Sequence, residues 1–303
     1  MIKTVLGNIN ENEVTSALCH EHICCYSEYL FMMSGKNYLD KEKLCESAVR
    51  ELVSLRENYG INLFVDCTAV NIGRDVELLK RVSEKSGVHI VSSTGFYYTR
   101  ESVLSASSAS EIARHMIYDA ANTNAGIIKS AVEYGEITGF EKKMLEAAVI
   151  THKSTGLPIV LHSNANNGNG GAAADIMTAL GAEPQSITVG HLSDTDNLDY
   201  VLKIAEKGCN IAFDRICNDT CEEYISKKVY AINVLCEKGF EDSILLSHDE
   251  LVFSGFDKEP KIREQLRFSF SHKHILPRLD ANIADKISRA NVIKMLGGKN
   301  EKT

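Results

Sequence analysis

Proline occurs only four times in 303 residues and no stretch is of low complexity, so the chain has neither the stiff linkers nor the disordered tracts that such compositions make. No apolar run approaches the roughly 18 residues that a membrane span needs. The opening MIKTVLGNINENEV lacks the apolar centre of a signal peptide, and a cytoplasmic location is expected. Clusters of Lys and Arg are also missing. With 33 basic and 41 acidic residues the formal charge is −8, which argues against nucleic acid; the expected partner is a small molecule, met by the chain alone or as a homodimer. The nine cysteines are an odd set without a secretion signal, so free thiols are expected rather than a disulfide framework. Cys24 and Cys25 are directly adjacent, and Cys217 with Cys221 has no matching second pair, which speaks against a structural zinc knuckle.

What is present is ordinary for a soluble globular protein, with 44% hydrophobic and 24% charged residues. Short apolar, β-branched runs alternate with longer stretches of helical period, the pattern of parallel βαβ units. Candidate strands lie at 16–23, 61–69, 88–96, 126–134, 157–164, 186–193, 209–216 and 243–250, which makes eight. Amphipathic stretches such as DKEKLCESAVRELVSLRENYG, DVELLKRVSEKSG and GFEKKMLEAAVITHKSTG lie between them and close on glycine, as helices ending in a left-handed cap do. The usual GxGxxG turn of an open doubly wound sheet is missing. The expected fold is α/β, a single (β/α)8 TIM barrel over residues 1–303, with the residues after about 261 forming the last barrel helix and a C-terminal helical extension.

Barrel active sites collect where strands hand over to the loops that follow them, and the candidate ligands map there. His20 and His22 are two apart on an extended segment and share a face, with Glu21 turned the other way. Taken alone, such a pair reads better as hydrogen-bonded core histidines than as ligands. His162 in IVLHSN and His191 in TVGHLS each follow an apolar run, and Asp249 ends the eighth strand, where a carboxylate pays a heavy desolvation cost unless a cation or donors offset it. Lys129 lies inside GIIKSAV; either it reaches toward the barrel mouth or pairs with Glu133, or its neutral amine takes up carbon dioxide as a carbamate able to bridge two cations. Two divalent ions balanced by one carbamate, one aspartate and one hydroxide leave a small positive residue, suited to stabilising charge on a substrate oxygen. His248, next to Asp249, should face away from the site by strand alternation.

These residues resemble the phosphotriesterase family of the amidohydrolase superfamily, and the resemblance runs over nearly the whole chain. It is carried in order by CHEH (19–22), VDCT (65–68), STGFY (93–97), GIIK (126–129), GLPIVLHS (156–163), GHLSDTDNLDY (190–200), FDR (213–215) and SHD (247–249). It implies a metal-dependent hydrolase of ester bonds in which His20, His22 and Asp249 hold one ion, His162 and His191 a second, and carboxylated Lys129 bridges them. Zinc is the expected metal, with manganese or cobalt as alternatives. It further implies Asp249 as proton acceptor, and Tyr97 and Arg215 as substrate contacts; a packing aromatic and a surface ion pair are the plainer readings of those two. Some members bridge with a glutamate, and Glu133 and Glu136 lie a few residues downstream of Lys129. The chain departs from the pattern after Asp249, in ELVFSGFDKEP and FSFSHK. A lactonase acting on sugar lactones, possibly phosphorylated and met by Arg215, Lys258 or Lys261, is expected first. Acyl-homoserine lactonase or phosphotriesterase activity comes second, the former needing an apolar channel to which Tyr98, Phe253 and Phe256 would contribute, and a non-catalytic metal-binding barrel is the alternative of another class.

Overall fold

The computed structural model describes residues 1–217 and 219–297. A hairpin of β1 (Ile2–Thr4) and β2 (Gly7–Ile9) comes first. It is followed by β3 (Ala17–Cys25), β4 (Leu63–Asp66), β5 (His89–Val91), β6 (Ser93–Gly95), β7 (Ile127–Ala131), β8 (Ile159–His162), β9 (Ile187–Val189), β10 (Asn210–Phe213), β11 (Ile244–Leu246), β12 (Leu251–Ser254) and β13 (Lys261–Ile262). One sheet has the order β6-β7-β8-β9-β10-β11, the other β5-β4-β3-β12-β13, and every pairing in them is parallel except β12 with β13. Only Ser92 separates β5 from β6, and only 247–250 separate β11 from β12. Across that second gap Ser247 N donates to Phe213 O (3.2 Å), Asp249 N to His20 O (3.1 Å) and His22 N to Glu250 O (3.0 Å).

The strands are buried on both faces, as their apolar runs anticipate. Leu63, Val65, Val91, Ile127, Val160, Ala212 and Leu245 form an inner cluster, while Phe64, Ile90 and Ile128, one position along, pack outward against helices. Lys129 is therefore in phase with Ile127 and faces inward. A bulge in β3 sets three residues against two of β4: Leu18 pairs with Phe64 and Glu21 with Asp66. That bulge puts Cys19 in the inner cluster and still aims His20 and His22 at the strand ends. The helix Lys41–Tyr59 starts on Asp40, whose carboxylate accepts from Glu42 N and Lys43 N, and stops at Gly60 in the left-handed region. Val76–Ser86 and Gly139–Thr155 follow the same plan. All nine cysteines are unpaired.

The expectation of a long helix from about 261 is corrected. Lys261 and Ile262 pair with Ser254 and Phe253 as β13. Arg263 and Arg267 turn back to the buried Glu250 (2.8 and 3.4 Å), which draws this segment over the strand ends. Helical structure resumes at Ser271–Ile275 and Leu276–Arg278, and Ala281–Asp285, Lys286–Ala290 and Asn291–Leu296 then run on without a break, with a π-helical turn in the middle. The expected C-terminal helical extension is present but begins at 271 instead of about 261, and the N-terminal hairpin and β13 are elements that sequence periodicity did not signal.

Gly95 ends β6 at φ 99°, and a Cβ there would collide with the carbonyl oxygen of Lys129. Gly95→Ala is expected to destabilise the fold by about 2–4 kcal/mol through backbone strain and overpacking. Equilibrium denaturation checks this, and an unchanged midpoint would show that β6 can move away from Lys129 without cost.

Candidate metal centre

The expected ligands come from separate strands and meet at one end of the sheets. His20 and His22 lie on β3, Lys129 on β7 and His162 at the last position of β8. His191 and Asp249 follow β9 and β11 with φ of 62° and 51°; among the described residues the only other non-glycine with positive φ is Asn124. Such backbone is sparsely populated and costs about 1–3 kcal/mol, so the surroundings hold these two residues in place.

Asp214, fully buried just beyond β10, organises one side. Its Oδ2 accepts from His20 Nδ1 at 2.5 Å, and its Oδ1 accepts from the His191 backbone N at 2.6 Å and from His191 Nδ1 at 3.0 Å. With both Nδ1 atoms donating, each ring presents Nε2 as a lone pair. His22 is set the same way: Nδ1 donates to Thr68 Oγ1 (2.9 Å), which donates to Cys24 O (3.1 Å). His22 Nε2 lies 2.9 Å from Asp249 Oδ1, and His20 Nε2 lies 3.5 Å from the same oxygen. His20, His22 and Asp249 are one group whose donor atoms could hold an ion. His20, His191 and Asp214 form another by proximity, but Asp214 is already spent on the outer nitrogens and reads better as the group that aims the rings. His162 Nδ1 faces His191 Nε2 at 2.7 Å, a second converging pair.

Lys129 is 2% exposed, with Nζ 2.7 Å from His20 Nε2. Among the described residues it makes no ion pair. The reading that pairs it with Glu133 is corrected, because Glu133 turns to His162 Nε2 (3.0 Å) and Asn164 Nδ2 (3.2 Å). The imidazole and carboxylate donors gathered around this buried amine fit divalent ions. Bridging by Glu133 is not favoured by this placement.

Burial, reinforced by Lys129, pushes His20 down to about 4, and burial pushes His191 down to about 3; His162 is lowered for the same reason. Neutral imidazoles are the form that binds metal. Burial works against the Asp249 carboxylate, yet His191, the hydrogen bond from His22 and Arg215 hold it well below the usual carboxylate range. Burial also lowers His22, but Cys25 and Asp249 outweigh it and push it up to about 10.

Tyr97 stands edge-on to His162 with ring centroids 4.9 Å apart, and its hydroxyl is 3.4 Å from His162 Nε2. Arg215 donates from Nε to Asp249 Oδ2 (2.8 Å) and from Nη1 to Asp194 Oδ2 (2.9 Å), so it is tied into the centre. His248 faces Glu21 (2.6 Å), away from the converging donors. Asp214, Thr68 and Asp194 were not picked out from sequence as partners of the site, and Glu133 was read as a partner of Lys129 or a bridge instead of as a partner of His162. Asp214 carried a usable signal, since a carboxylate closing the apolar run NIAF stands where Asp249 stands after ILL.

Asp214→Asn should weaken metal affinity about 10–100-fold, because one amide cannot accept from both rings. Competition with a chelator measures this, and undiminished affinity would remove Asp214 from the orienting role. Burial lowers His248 to about 3 and His272 to about 4 from the ordinary 6.5. Between about 6.5 and about 4 the unfolded chain therefore binds protons that the folded one refuses, so stability falls as pH drops through that window, by up to about 1.4 kcal/mol per pH unit for each such histidine. Denaturation midpoints flat from pH 7 to 4 would contradict this.

The phosphotriesterase family model matches residues 1–300. The chain is 33% identical over 306 residues to an aryldialkylphosphatase of Saccharolobus solfataricus, covering 95% of each. It is 25% identical over 338 residues to the N-acetyltaurine hydrolase of Homo sapiens, covering 94% of this chain and 95% of that one. It is 26% identical over 296 residues to a phosphotriesterase homology protein of Mycobacterium tuberculosis H37Rv, covering 92% and 90%. With converging imidazoles and carboxylates at the strand ends and a family match along nearly its full length, the chain belongs to the phosphotriesterase family.

Proposed function

We propose that the chain is a binuclear metal-dependent hydrolase on one closed (β/α)8 barrel, with lactones, sugar lactones first, as its substrates. Hydrolysis of ester- or amide-type bonds is the chemistry shared by the family and its hydrolase-named relatives. Counting β5 with β6 and β11 with β12 as single strands gives eight, and the hydrogen bonds of Asp249 and Glu250 to β3 support closure. The observation that carries the metal reading is Lys129, a buried amine without a carboxylate partner 2.7 Å from His20 Nε2. His20, His22 and Asp249 would hold one ion, His162 and His191 the other, and Lys129 as a carbamate would bridge them. Zinc is the first choice of metal. Such ions supply Lewis-acid polarisation of the bond under attack and acidify water at neutral pH.

Asp249 is the group that takes up the attacking water's proton, at an oxygen flanked by Arg215 Nε. Arg215 cannot carry that proton outward, since a guanidinium stays protonated and its two carboxylate neighbours raise its affinity for protons further. The proton on Asp249 is therefore best delivered to the leaving oxygen. A lactone suits this, because its alkoxide stays tethered to the acyl group and needs a proton to leave. The acyl-homoserine alternative has less support: Phe253 is buried against Tyr38 in the core and cannot line a channel. A phosphotriesterase reading draws on the aryldialkylphosphatase relative.

Lys129→Met should abolish both bound metal and turnover, and Lys129→Ala should regain part of each with short carboxylic acids. Full activity of the methionine variant would defeat the carbamate. Kinetics on lactones, esters, amides and phosphotriesters, with protein loaded separately with zinc, manganese or cobalt, test the substrate. Silence on all of them with two ions bound would favour a non-catalytic metal-binding barrel.

A further inference from the structure

A groove of about 870 Å³ is lined by Asp194 and Arg215, and Arg215 links it to the candidate centre, donating to Asp249 at 2.8 Å and to Asp194 at 2.9 Å. From the charges along it we infer that the groove receives the non-reacting part of the substrate, and that this part is uncharged and rich in hydroxyl groups, neither phosphorylated nor a long alkyl chain. The inference rests on the lactonase reading and narrows it.

Three cations line the groove among the described residues, and each is already engaged. Arg215 pairs with Asp249 and Asp194; Lys228, nearly buried, donates to Ser193 O at 2.8 Å; Lys227 meets Glu223 at 2.9 Å. Against them stand four carboxylates, Asp194, Asp196, Asp219 and Glu223, so the lining carries one net negative charge. A phosphate dianion would meet a lining of net negative charge in which each cation already has a carboxylate or carbonyl partner. Lys258 and Lys261, expected from sequence to attract such a group, are not among the lining residues. An alkyl chain would cover these charged groups without replacing their water. Hydroxyl groups can donate to the carboxylates and accept from the N–H groups that the lysines keep beyond these pairings.

Two measurements on the metal-loaded protein test this. The first compares kcat/KM for a neutral aldonolactone, the same lactone carrying a phosphate, and a long-chain acyl-homoserine lactone. The neutral lactone should lead each of the others by about tenfold or more, and Glu223→Lys should shift the ratio of phosphorylated to neutral lactone about tenfold toward the phosphorylated one. A lead by the phosphorylated or the acyl substrate, or an unmoved ratio in the variant, overturns the inference. The second is calorimetric titration with an anhydroalditol, which lacks the carbonyl and cannot be hydrolysed, and with its phosphate. Tighter binding of the neutral compound supports the groove assignment; equal or tighter binding of the phosphate, or no binding of either, overturns it. If no lactone is turned over while the anhydroalditol binds, the lactonase reading falls and the groove assignment stands.

Discussion

The arrangement at the strand ends depends on one carboxylate. Asp214 sits in full burial and accepts three hydrogen bonds, two from ring nitrogens and one from a backbone amide, and it is held far below the usual carboxylate range. Burial works against that charge, and the two histidines outweigh it. Through them Asp214 dictates the tautomer of His20 on β3 and His191 after β9, so imidazoles from distant parts of the chain turn their lone pairs toward a common space. The positive φ of His191 accompanies the contact in which its amide donates to Asp214.

A second frame lies behind the site. Glu21, turned away from the converging histidines, accepts from Ser247 Oγ, from the amides of His248 and Glu250, and from His248 Nδ1. It thereby holds the left-handed turn at Asp249 against β3. The HEH triplet thus does two jobs with one alternation: two imidazoles face the converging donors, and the carboxylate between them ties the turn between β11 and β12 to β3.

Histidines placed after apolar runs were legible in the sequence because strand periodicity and strand-end position are local properties, and the structure brings their nitrogens together. The partners that aim them were harder to see. Asp214 was read only as the residue before Arg215, and Glu133 as a partner for Lys129, because which carboxylate meets which imbalance is decided by neighbouring strands and not by spacing along one of them. The helices closed by Gly60, Gly87 and Gly156 followed their caps. The segment from 261 did not, since KIREQLRF has helical periodicity but Arg263 and Arg267 answer to Glu250, a charge that only tertiary structure places within reach. Hairpins at β1–β2 and β12–β13 are too short to leave a periodic trace.

The contact between His22 and Asp249 spans 227 positions. A ribosome therefore exposes one half of this constellation long before the other exists, and a nascent chain carries unpartnered histidines through most of its synthesis. Only when the segment around Asp249 emerges and docks on β3 can these donors come together, so any ion held there would be acquired late, after the fold has been assembled around it.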